Sequence, residues 1–179
     1  MHELFRQLPI LAGGLASIVV LGLGAHSARA ALPDACSFLS ANDWSAALGR
    51  PVTGGTLSTV DNPDSNTSSC LYRAGMTMIV FRVSQFPSAS AAKREYADQL
   101  DNSHSRDERS SDSSGATKTA PETGLGDAAF SSATTDGVID ELMAVQGPRI
   151  IDMGFVAIKG TSLTHDKVRS MMQKALARS

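Results

Sequence analysis

Beyond residue 30 the chain holds two histidines, His104 and His165, and two cysteines, Cys36 and Cys70. Covalent catalysis needs a nucleophile, a base within hydrogen-bond reach and a third group that orients the base. His104 lies in a polar, Ser- and Asp-rich run and His165 at the start of a helical pattern, and neither has a companion set nearby. No Gly-x-Ser-x-Gly occurs, and no His-x-x-x-His or Cys-x-x-Cys spacing offers a metal site. Asp61 and Asp64 share a turn cluster, where short carboxylates ordinarily shape the backbone. Glu141 and Asp152 fall diagonally across a hairpin. Paired carboxylates can do acid–base work, but as exposed sheet residues they are expected to be inert. Gly124-x-Gly126 lacks the third glycine of a dinucleotide loop and reads as a turn feeding a strand. These residues predict no catalytic set, no metal and no cofactor, and therefore a protein that is not an enzyme.

The cysteines have a different use. Residues 1–30 read as an export signal: Arg6, an apolar run from Leu8 to Leu23, and Ala28-Arg29-Ala30 as a cleavage pattern. No second apolar run follows, so no membrane span is expected after cleavage. In an oxidising compartment Cys36 and Cys70 are expected to form a disulfide, placing the protein in the periplasm or outside the cell. The remaining residues, 31–179, form one domain, long enough for a real core. Without Arg6, Arg29 and Glu3 the chain has 14 basic and 17 acidic side chains. That scattered, slightly acidic balance argues against nucleic acid, which selects clustered Lys and Arg.

The elements that must position any site follow from periodicity. Ser40 and Asp43 form a capping box for a helix whose apolar face holds Trp44, Ala47 and Leu48 and which stops at Gly49. Residues 52–60 read as a strand. Ser69–Arg73 and Met76–Val83 form a hairpin about Ala74-Gly75, with Ile79, Phe81 and Val83 on one face and Met78, Val80 and Arg82 on the other. A helix from Pro87 to about Asn102 carries the stripe Ala89, Ala92, Tyr96 and Leu100. Residues 102–120 hold no large apolar side chain and read as a mobile loop. Asp136-Gly137 reads as a turn. Residues 138–146 and 149–158 form a second hairpin about Gly147-Pro148, pairing Ala144 with Ile151 and Leu142 with Met153. Thr164 is placed to cap a last helix striped by Val168, Met171, Met172, Ala175 and Leu176, with Lys174 and Arg178 in its last turn. This pattern predicts an α+β fold: an antiparallel sheet of about six strands, helices packed on one face, and one disulfide.

Cys36-Ser-Phe-Leu-Ser, the Ala47-Leu48-Gly49 stop, Ser68-Ser69-Cys70-Leu71-Tyr72 and Gly124-Leu-Gly-Asp-Ala-Ala-Phe130 together resemble small exported bacterial domains, often lipoproteins, some with a PsbP-like α/β sandwich. The resemblance implies an antiparallel sheet flanked by helices and brings no catalytic residues. Cys36 lies well past the apolar run and lacks the setting of a lipidation site.

The function expected is a non-catalytic exported binding domain. Its surface would be the sheet face away from the helices, with Met78, Val80, Met143, Val145 and Ile150 and a possible stacking role for Trp44. The partner expected is a small apolar ligand or another envelope protein. The alternative is a protein-interaction module, an inhibitor or envelope-assembly partner, using a loop or a sheet edge.

Overall fold

The computed structural model describes residues 34–110, 117–134, 138–156 and 163–179. The segment expected to be an export signal and the expected Asp136-Gly137 turn lie outside the described residues. In chain order the elements are α1 (Ala35–Phe38), α2 (Ala41–Leu48), β1 (Thr53–Asp61), β2 (Asn66–Ala74), β3 (Thr77–Gln85), α3 (Ala89–Ser110), β4 (Thr117–Glu122), β5 (Ala128–Thr134), β6 (Ile139–Gln146), β7 (Arg149–Val156) and α4 (His165–Leu176).

Alternating side chains on hairpin-linked strands build one antiparallel sheet of seven strands, ordered β1-β2-β3-β7-β6-β5-β4. Both hairpins take the expected face assignment. The first, however, turns at Gly75-Met76 rather than Ala74-Gly75, so Ala74 pairs with Thr77 and Cys70 with Phe81, whereas in the second Ala144 pairs with Ile151 and Leu142 with Met153 as expected. The central contact joins β3 to β7, so the two hairpins meet in the middle of the sheet. The seventh strand is β4, in a stretch expected to be loop.

One face carries the main core. Ile79, Phe81, Val83, Leu142, Ala144, Ile151, Met153 and Phe155 pack against Trp44 and Leu48 of α2 and the full α4 stripe. Burial of such side chains contributes roughly 1.5–3 kcal/mol each. The α2 start behaves as its sequence dictates: Ser40 Oγ accepts from the Asp43 amide, the Asp43 carboxylate accepts from the Ser40 amide, and Gly49 closes the helix in the left-handed region. Thr164 occupies the N-cap position of α4, but its side chain makes no capping bond; its carbonyl accepts from the Lys167 and Val168 amides. Arg178 falls beyond the end of α4 rather than in its last turn, and with Lys174 it binds Asp43, tying α4 to α2. Burial pushes the Asp43 pKa up, but the bonds from Lys174, Ser40 and Arg178 outweigh that and hold the carboxyl well below the usual range.

Cys36 and Cys70 are bonded, with Cα atoms 5.1 Å apart, joining α1 to β2. Beside them Ser68 Oγ accepts the Ala35 amide at 2.8 Å, and the Tyr72 hydroxyl donates to the Leu39 carbonyl. Burial, with Asp34 and Asp43 adding to it, pushes the Tyr72 phenol up to about 12, so the donor proton stays in place.

Helices do not keep to one face. α3 lies across the opposite one, where Ala92, Tyr96 and Leu100 cover Phe86, Phe130, Met143, Val145 and Ile150 in a second core. It also runs eight residues past Asn102, through sequence expected to be mobile. Its far end is fastened to β4: the Asp107 carboxylate accepts from Thr117 Oγ1 at 2.9 Å and from the Thr119 amide at 2.5 Å. These tertiary bonds hold in helical form a segment that has no apolar stripe of its own.

The Gly124–Asp127 turn is structural, as its sequence suggests. Gly126 has φ of 58°, and a Cβ there would lie 2.4 Å from the Val145 carbonyl oxygen. That approach lets the Asp127 amide donate to the same carbonyl at 2.7 Å, while the Asp127 carboxylate accepts from the Gly147 amide at 3.1 Å. The turn thus latches the start of β5 to the β6–β7 hairpin. Gly126→Ala is expected to cost about 2 kcal/mol, from left-handed backbone strain and the clash together. Urea denaturation checks this; an unchanged midpoint would show that the latch contributes nothing.

A charged groove between the third helix and the sheet

The face expected to be open and apolar is neither. Strand alternation places Met78, Val80, Arg82 and Ser84 of β3 on it, beside Gly154, Asp152 and Ile150 of β7 and Glu141, Met143 and Val145 of β6. α3 then crosses over the β6 side. Val145 is wholly buried beneath it, and Met143 and Ile150 are each 5% exposed. Of the six residues expected to bind a ligand, Val80, Met143 and Ile150 reach the groove that remains. Met78 is half-buried and Val145 is core. Trp44 is on the other side of the sheet, fully buried against Tyr72 and Phe155, with an indole N–H that finds no acceptor among the described residues. It is a core residue, not part of the expected binding face.

What α3 leaves uncovered is a polar groove with two lobes. The first, of about 500 Å³, lies between Glu95 and Gln99 of α3 and the β1–β2 turn at residues 62–65, with Thr67 and Ser84 on its floor. The second, of about 750 Å³, lies toward the far end of α3, between Arg106 and Arg109 and the β3–β7 floor at Val80 and Gly154. Arg82, Gln99, Glu141 and Asp152 line both lobes.

The carboxylates at the junction are not the exposed surface groups expected from the sequence. Asp152 stands directly across from Arg82 in the β3–β7 register, and Glu141 sits opposite Gly154, two residues along. Asp152 is 5% exposed. One of its oxygens, Oδ2, lies 3.0 Å from Arg82 Nη1; Oδ1 is buried with no hydrogen-bond partner among the described residues. Glu141, with a side chain 20% exposed, pairs at 3.5 Å with Arg106, which α3 brings down onto the sheet. Burial pushes the Asp152 carboxyl up to about 7; the Glu141 charge adds to this, and Arg82 only partly offsets it.

A second polar cluster lies at the foot of α4. The buried Glu122 carboxylate takes bonds from His165 Nε2 at 2.5 Å, Arg169 Nη1 at 2.7 Å and Ser131 Oγ at 2.7 Å. Burial raises the Glu122 pKa, but these bonds, with the charges of His165 and Arg169, outweigh it and set it below the usual value. Both Glu122 oxygens are engaged, so the cluster clamps α4 to β4. His165, a lone histidine in the sequence, is part of that clamp.

Alternation alone put Arg82, Glu141 and Asp152 on one face. That Asp152 would be buried had no signal, because which face of the sheet α3 covers is not written in its local pattern. No family model matches the chain, and no curated protein matches it. Among solved structures, the extracellular domain of PknH from Mycobacterium tuberculosis is similar, with a TM-score of 0.50, 10% sequence identity, and coverage of 79% of this chain and 92% of that one. At that identity the likeness is one of fold.

Proposed function

We propose that this chain is an exported, non-catalytic binding domain that holds a small polar ligand in the groove beneath α3. The observation that carries this reading is Asp152: a carboxylate buried in the groove wall with one oxygen unpartnered among the described residues. An ionised group so placed costs folding energy unless something pairs with it, and strained or unsatisfied groups of this kind concentrate at functional sites. The polar lining replaces the apolar ligand expected from the sequence, because the apolar residues of this face are consumed in packing α3.

Export is supported by the disulfide, a bond that persists in oxidising compartments, and by the signal pattern of residues 1–30. The similar fold of a kinase's extracellular domain is in keeping with it. No helix of the described residues is long and apolar enough to cross a membrane.

Ser84→Trp fills the first lobe from its floor. Native mass spectrometry of the protein purified from the cell envelope is expected to show a retained small molecule on the parent chain and none on the variant. Retention by both would place the ligand elsewhere.

One observation favours a second reading, pairing with another protein along the sheet edge. All nine residues of β1 are exposed, Leu57 by 45% and Val60 by 52%, and only its last, Asp61, is charged. A long uncharged edge strand is a template for strand addition. The opposite edge is blocked, since Asp107 occupies the outward Thr119 amide and Pro121 interrupts the row of donors.

A further inference from the structure

We infer that the groove recognises its ligand through a protonated amine, or a similar small N–H cation, seated at the Asp152–Glu141 junction. This rests on the groove being the binding site and names the chemistry that it selects.

The inference starts from the donor count. An ionised carboxylate only accepts, with two oxygens to satisfy. Arg82 occupies Oδ2 of Asp152, Arg106 stands beside Glu141, and no donor reaches Asp152 Oδ1 among the described residues. The strand register sets Asp152 and Glu141 diagonally on one face, so each carboxylate repels the other across Gly154, the one position there without a side chain. A cation at the junction relieves that repulsion and gives the Asp152 carboxylate a second positive partner beside Arg82.

The charge around the first lobe points the same way. Asp64, Glu95, Glu141 and Asp152 line it against the single cation Arg82. A low-dielectric wall beneath this excess strengthens its attraction for positive charge. Arg82 is 48% exposed, so it can swing toward water at little cost and leave Asp152 to a ligand. A metal ion fits less well: no group of three or more carboxylate, histidine or cysteine side chains placed to hold one occurs among the described residues. An organic ammonium asks only for a few directed acceptors, which the two carboxylates and Gln99 offer.

The opposite end of the groove, with Arg106 and Arg109, poses the competing chemistry, an anionic ligand. An ¹⁵N-correlation titration of the disulfide-intact chain decides between them, using putrescine as the cation, succinate as an anion of similar length and glucose as a neutral polyol. Putrescine is expected to shift the amides of Arg82, Met143, Asp152 and Gly154 in a saturable way. Asp152→Asn, which keeps the shape and removes the charge, is expected to weaken that binding at least tenfold, and Glu141→Gln to weaken it less. Shifts of the same amides by succinate or glucose but not putrescine would overturn the cation assignment while leaving the groove as the site. Putrescine binding that survives both substitutions, or that shifts only amides away from the groove, would overturn it as well. Silence of the groove toward all three probes would remove both the assignment and the site.

Discussion

Asp152→Asn is expected to make the protein more stable at pH 8, by about 2–4 kcal/mol, although it removes one partner of an ion pair. The carboxyl takes up its proton near pH 7 in the folded chain, against 3.8 for an ordinary aspartate. Between those values the folded state holds a proton that the unfolded state has released. Stability therefore falls as pH rises from about 4 to about 7 and stays low above that. The full difference corresponds to an upper limit of about 4 kcal/mol at 1.36 kcal/mol per pH unit. Asparagine mimics the protonated acid and escapes the loss.

The groups facing Asp152 decide whether this holds. Glu141 on β6 opposes its charge, Arg82 on β3 favours it, and Arg106 on α3 is engaged by Glu141. Removing one half of a buried pair ordinarily costs about 3–5 kcal/mol because the other charge is stranded. Arg82 is half in water, so substitution strands nothing. Urea denaturation of both proteins from pH 4 to pH 8 measures the difference. The curves are expected to meet near pH 4, to separate up to about pH 7 and to run parallel above it. A variant less stable than its parent at pH 8 would show that the Arg82 pair outweighs burial. Below pH 4 both proteins should weaken together as Asp43 and Glu122, whose carboxyls titrate below their usual values, take up protons.

Removing the disulfide has an effect of similar size. Cys36 and Cys70 are 34 residues apart, and opening a loop of that length is expected to cost about 3–4 kcal/mol in the chain-entropy treatment. The loss should be local as well as global. The bridge holds α1 beside β2, and Trp44, Leu48 and the Lys174–Asp43 contact follow α1 onto the main core. Cys36→Ser with Cys70→Ser is therefore expected to lower the urea midpoint and to raise hydrogen exchange first in α1, α2 and β1. A double variant within 1 kcal/mol of its parent would mean that the Ser68 and Tyr72 hydrogen bonds hold the opening segment unaided.

Much of the framework follows from local pattern. The pairing of Ala144 with Ile151 comes from a two-residue turn between alternating strands. The α4 stripe comes from helical spacing, and the α2 boundaries from Ser40, Asp43 and Gly49. Each depends on residues within a few positions of one another, so the physics that fixes it is written along the chain. The cysteine pair belongs here too, because two thiols in an exported chain have one bond to make. The short α1, capped by Asp34, was missed because four residues give no period to read.

The site was decided elsewhere. Residues 102–110 carry no apolar face, and their helix persists because Asp107 reaches β4 and Arg106 reaches Glu141, partners 12 and 35 positions away. Once α3 is held across the sheet, Met143, Val145 and Ile150 stop being a surface and become a core. Asp152, by the same step, passes from a solvated carboxylate to a buried one. Which residues lie on a face is a matter of alternation and can be read in sequence. Whether that face meets water is a matter of what crosses it: the stripe Ala92, Tyr96 and Leu100 can be read in the sequence, but which face of the sheet it seals cannot.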